Sequence, residues 1–92
     1  MQNIVLVVDD DRAILNMLYK ALHQNGIEAD LSTSGESALE MVAKKEYDLI
    51  LLDINMRGIN GFEVIQRLRA NRCETPIMVV SGRKEDKNAL YG

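Results

Sequence analysis

The sequence predicts an α/β domain built on an open, doubly wound parallel sheet, and three observations carry that prediction. Short continuous runs of Val, Ile and Leu recur along the chain, as in strands buried on both faces. Segments with helical spacing of apolar residues lie between the runs, and strands alternating with helices imply a parallel sheet covered on two sides. The resulting order is βαβαβαβα. That is too few units for a closed (β/α)8 barrel, and right-handed crossovers then leave the open sheet. A chain of 92 residues is expected to form one domain, 1–92.

The elements follow in order. Ile4–Val8 is a β-branched run and the first strand. Asp11 is placed to cap a helix in which Ile14, Leu15, Leu18 and Leu22 share one face, and Gly26 ends it. Residues 27–31 alternate apolar and polar, as a strand with one wet face does. Ser34 caps a second helix through Ala38, Leu39, Val42 and Ala43. Residues 47–53 form a second fully buried strand, and residues 54–61 a loop with two glycines, Gly58 and Gly61. Phe62, Ile65 and Leu68 mark a third helix, running to about Asn71. Pro76 closes a short loop and opens Ile77–Val80, a third fully buried strand, after which residues 84–91 read as a last short helix. Met17, Met41 and Met78 are expected to fill the core, His23 to be a solvated surface residue, and Cys73 to be an incidental exposed thiol.

Composition removes several function classes. Lys and Arg total 11 against 14 Asp and Glu and are dispersed, so no nucleic-acid footprint is expected. The longest apolar runs are far too short to span a bilayer, so no membrane segment is expected. A single cysteine allows neither a disulfide framework nor a cysteine zinc site. No basic residue precedes the first apolar run and Asp9-Asp10-Asp11 follows it, so no signal peptide is expected and the cytoplasm is the default location.

In a parallel doubly wound sheet the strand C-termini share one edge, where sites form. Here that edge collects Asp9 and Asp10 from the first strand, Asp53 from another and Ser81 from the last. Clustered carboxylates repel one another, and a cation or a retained proton resolves the repulsion. An all-oxygen site with few protein ligands suits Mg²⁺. One of the three consecutive aspartates, Asp11, is read as a helix cap, but capping does not account for Asp53 on a different strand. Residues 53–58 open like a calcium loop, yet Arg57 stands where an oxygen ligand belongs and Val64 where a bidentate Glu would, so calcium is rejected. No glycine-rich dinucleotide or ATP loop is present.

These motifs together resemble the receiver domain of bacterial two-component response regulators, the CheY-like fold. The resemblance rests on Asp9-Asp10 after the first strand, Asp53-Ile54-Asn55-Met56 after the third, Gly61 ahead of a helix, and residues 76–82. It runs from Asn3 to Tyr91 and implies strand order 2-1-3-4. It implies that Asp53 is the phospho-acceptor, attacking the phosphoryl group of a sensor histidine kinase or a phosphotransfer protein. Asp10 would ligate Mg²⁺ directly, Asp9 through water, and Asn55 through its backbone carbonyl. Ser81 would be the switch hydroxyl, Gly82 would leave room beside the site, and Gly61 would permit tight entry into the third helix. The chain would then be no enzyme toward outside substrates, only a domain that catalyses its own phosphorylation and dephosphorylation.

Two departures stand out. Family members often carry Pro where this chain has Arg57, a cation near the site that is expected to point to solvent. The family also continues into a fifth strand and helix, with a lysine that pairs with the phosphoryl group, whereas this sequence stops at Gly92. The expectation is a C-terminally truncated receiver whose last strand is an apolar sheet edge, prone to homodimerisation or domain swapping. The alternative function is a non-phosphorylated receiver remnant acting as a binding or dimerisation module. A phosphohydrolase with an aspartyl nucleophile is disfavoured, because Asn55 stands where such enzymes place a general acid.

Overall fold

Residues 3–80 are described by a computed structural model. They form β1 (Ile4–Val8), α1 (Arg12–Gln24), β2 (Glu28–Ser32), α2 (Gly35–Lys44), β3 (Leu49–Asp53), α3 (Gly61–Ala70) and β4 (Ile77–Val80). The four strands make one parallel sheet in the order β2-β1-β3-β4. The central strands are in register through Val8 and Leu52, and β4 joins through Asp53 and Val80.

The strand pattern splits the core into two layers. Leu6, Val8, Ile50 and Leu52 face α2 and α3, where they meet Ala38, Tyr47, Val64 and Leu68. Val5, Val7 and Ala29 face α1 and pack on Leu15, with Leu18 and Leu22 beside them. Alternate residues of one strand thus serve both layers, which is why β1 reads as an unbroken apolar run. Each helix starts at a cap the sequence supplies. Asp11 accepts the N–H groups of Ala13 and Ile14, Ser34 that of Ser37, and Asn60 that of Glu63.

Several expectations are corrected here. Ile27 belongs to the turn rather than to β2, because its N–H bonds back to the Leu22 carbonyl. β3 begins at Leu49, where its ladder with β1 starts; just before it the Tyr47 hydroxyl donates to Asp30, and Asp48 accepts the Ile4 N–H at 2.7 Å. β4 is not fully buried: Met78 is 55 % and Val79 42 % exposed. Among the described residues it is the edge strand, and Met78, in register with Leu51, lies on the face whose only described helix packs over β1 and β2. Met78 and Met17 are therefore not core residues, whereas Met41 packs against the α2–α3 layer. Cys73 is half-buried against that layer rather than exposed. His23 is exposed, as expected, and stacks on Tyr19. Ser81 and the expected helix at 84–91 lie outside the described residues.

Candidate functional site

The register of β1 and β3 builds the site. With Val8 opposite Leu52, the next residues lie side by side, Asp53 ending β3 and Asp9 just past β1, and Asp10 follows one step on. One carboxylate oxygen from each of the three lies within 4.8 Å of the others. Asp9 and Asp53 are buried, at 3 % and 4 % exposure, while Asp10 is exposed. Carboxylates at that spacing repel by about 3 kcal/mol per pair at an effective dielectric near 20.

Backbone donors orient the cluster. Asp9 Oδ1 accepts the Asp11 N–H at 2.9 Å, and Asp53 Oδ1 accepts the Asn55 N–H at 3.2 Å. Asp10 Oδ2 accepts the Arg57 N–H at 3.2 Å across a separation of 47 residues. That bond ties the β3–α3 loop to the end of β1. Sequence reading missed it, because a backbone donor leaves no mark in residue type. Asp11 serves as the helix cap, as expected, and lies outside the carboxylate cluster.

The loop is held close by glycines. A Cβ at Gly61 would lie 2.7 Å from Ile54 Cα and 2.8 Å from the Asp53 carbonyl oxygen, so α3 starts directly against the acceptor strand's end. Gly58 has φ +76, a conformation that favours glycine. Gly35 was not singled out in the sequence, yet a Cβ there would meet Ile59 and Val64 at 2.6 Å.

Two open cavities flank Asp10. One, of about 630 Å³, is lined by Asp10, Asn55, Arg57, Asn60 and Phe62 among others. The second, of about 540 Å³, is lined by Asp10, Asp11, Arg12, Ala13 and Arg57. The structure thus brings Asp9, Asp10 and Asp53 together and sets Asn55 at their rim. Arg57 is exposed, as expected. A cluster of hard oxygen donors, two of them buried, fits a small divalent cation. Among the described residues no helix is long and apolar enough to cross a membrane.

Comparison with known proteins agrees with this geometry. The family model described as response regulator receiver domain matches residues 5–91. The response regulator MprA of Mycobacterium leprae is 40 % identical over 88 residues, covering 96 % of this chain and 39 % of its own. The chain therefore spans about two fifths of that relative's length. Among solved structures, a Francisella response regulator receiver domain superposes with a TM-score of 0.85 at 28 % identity, covering 98 % of this chain and 74 % of its own. The response regulator TrrA of Thermotoga maritima, in complex with Mg²⁺ and BeF, gives 0.84 at 34 %, covering 97 % and 77 %. TrrA in complex with the histidine kinase ThkA gives 0.83 at 35 %, covering 90 % and 72 %.

Proposed function

The chain belongs to the response regulator receiver-domain family, and from that premise we propose that it accepts a phosphoryl group on Asp53 in two-component phosphorelay signalling. The observation that carries the proposal is the meeting of Asp53 with Asp9 and Asp10 at one sheet edge. In the transfer, an Asp53 carboxylate oxygen attacks phosphorus in line. The bond between phosphorus and the donor nitrogen breaks, its electron pair leaves with the nitrogen, and an acyl phosphate forms. The donor is the phosphohistidine of a sensor kinase or a phosphotransfer protein. TrrA's complex with ThkA supports that partner class.

Asp10, Asp53 and the Asn55 backbone carbonyl would hold Mg²⁺ directly, and Asp9 would hold it through water. The TrrA complex with Mg²⁺ supports the choice of ion. When bound, the ion supplies charge neutralisation at the equatorial phosphoryl oxygens. Asp53 is buried, and the Asn55 N–H fixes one of its oxygens. Ser81, the residue after Val80, is the proposed switch hydroxyl; Val80 is in register with Asp53. On this reading the domain is no enzyme toward other substrates and works in the cytoplasm.

The test is incubation with acetyl phosphate and Mg²⁺, followed by intact mass measurement. One phosphoryl adduct on the parent and none on Asp53→Asn is expected. A folded parent without an adduct refutes the proposal. The exposed Met78 and Val79 favour a second reading, a binding or dimerisation module working through β4. An oligomer in gel filtration that is indifferent to Mg²⁺ and beryllofluoride would support it.

A further inference from the structure

We propose that Arg57, with Arg12 opposite it, forms a cationic mouth that captures the dianionic phosphoryl group of the donor before it reaches Asp53. The inference rests on the phospho-accepting reading of the site.

Arg12 and Arg57 belong to different elements yet line the same cavity of about 540 Å³ beside Asp10, together with Asp11, and Arg57 also lines the larger one. The Arg57 backbone is held at the cluster by its N–H bond to Asp10, so the guanidinium starts from a fixed point. Gly58, on the other side of the loop, turns at φ +76 close to the Glu36 carboxylate. Both arginines are exposed, and among the described residues neither guanidinium has an ion-pair partner, unlike Lys45 and Arg67. Arg12 follows directly on Asp9, Asp10 and the cap Asp11. As the first residue of α1 it places a cation at the positive end of the helix, whose first turn holds no acid, whereas α2 and α3 carry Glu36 and Glu63 there.

The need for such a mouth is electrostatic. Three carboxylates repel an incoming dianion, and a divalent ion leaves the cluster with a net negative charge. Cations at the rim offset the charge left by the cluster and by Asp11, which lines the same cavity, and so raise the encounter rate. They do so without joining the cluster, where they would compete with the metal. The chemistry is unchanged: with acetyl phosphate the phosphorus–oxygen bond breaks, acetate leaves with the electron pair, and no proton has to move.

The experiment measures Asp53 labelling by acetyl phosphate in Mg²⁺ for the parent, Arg57→Gln, Arg12→Gln and Arg57→Lys across a range of salt. Mg²⁺ affinity is measured separately by NMR titration. Gln keeps the backbone N–H that holds Asp10, so the loop tie survives. Each Gln variant should label about three- to tenfold more slowly at low salt, with the rates converging as salt screens the charge. Mg²⁺ should bind the Gln variants as tightly as the parent or more tightly, and Arg57→Lys should recover most of the rate. Unchanged labelling at low salt overturns the inference. So does slowing at every salt concentration together with weaker Mg²⁺ binding, which is the signature of a loop support. A parent that takes no label refutes the phospho-accepting reading and this inference with it. A labelled parent with indifferent variants refutes this inference alone.

Discussion

Replacing Gly61 by Ala tests how closely the acceptor strand and α3 are packed. The new Cβ would sit 2.7 Å from Ile54 Cα and 2.8 Å from the Asp53 carbonyl oxygen. Ordinary contact begins near 3.4 Å. Both neighbours are backbone, so no rotamer change relieves the overlap. Gly61 is also tied to this segment by its N–H bond to the Ile54 carbonyl at 2.9 Å. Overpacking of this kind costs about 1–3 kcal/mol. Alanine's better helix propensity offsets at most about 1 kcal/mol, and less in a first turn than in a helix interior. The clash should therefore win, with a net loss of about 1–2 kcal/mol. For a domain of this size that lowers Tm by roughly 4–16 °C. Because the strain falls on the residue after Asp53, labelling by acetyl phosphate should slow as well, by about tenfold. Thermal and urea denaturation read the first effect, and intact mass against time reads the second. Gly26→Ala is the control. Its φ of +75 makes it strained, but nothing lies within 4 Å of its Cβ and it ends a different helix. It should lose about 1 kcal/mol of stability with labelling unchanged. A Gly61→Ala protein as stable and as readily labelled as the parent would refute the close-packing argument.

Other outcomes follow from the same geometry. Mg²⁺ at a hundred times its Kd should stabilise the fold by about 2.7 kcal/mol, read as a rise in Tm, and Asp10→Asn should remove most of that rise. The Tyr47 hydroxyl and Lys45 both bond the Asp30 carboxylate, at 2.7 and 3.0 Å, which lowers the Asp30 pKa; burial and the Asp30 bond raise that of Tyr47. A lowered carboxylate pKa stabilises the fold above its unfolded value, near 4, and that share is lost as pH falls through the lower folded value. A raised phenol pKa stabilises below about 10 and is lost above it. Tyr47→Phe should cost about 1 kcal/mol in urea denaturation at neutral pH and flatten both limbs of the stability profile.

Much of this molecule is legible in its sequence because two periods do not overlap. The unbroken run at Ile4–Val8 cannot be an amphipathic surface helix, and Ile14, Leu15, Leu18 and Leu22 cannot be a strand with one wet face. The carboxylate cluster is legible for a topological reason: once the strands are parallel, Asp9 and Asp53 must share an edge. What escaped the sequence depends on position within the sheet or on groups common to every residue. Ile77–Val80 has the composition of a fully buried strand, so the exposure of Met78 and Val79 escaped its residue pattern, although the family resemblance placed it at the sheet edge. The Arg57 N–H bond to Asp10 uses an atom that every residue but proline carries. The bond from Tyr47, just before β3, to Asp30 in β2 forms only after both strands have docked on β1.

The cluster and the core are best understood as two sides of one balance. Leu6, Ile50 and Leu52 are buried to 0–1 % exposure, and full burial of each such side chain contributes about 1.5–3 kcal/mol. That burial opposes the mutual repulsion of the three carboxylates. The sheet thus keeps an acidic site assembled before any ligand arrives. A divalent ion reduces the three formal negative charges to one, which makes approach of a dianion tolerable. Phosphorylation then replaces the single charge of Asp53 by about two. The occupied site is again more negative than the metal-bound one, and its demand for a cation rises with the modification instead of falling. Arg12 and Arg57, kept unpaired among the described residues, are placed to answer that demand. The same arginines that speed capture should therefore also prolong the life of the acyl phosphate, and both effects should fade together with salt.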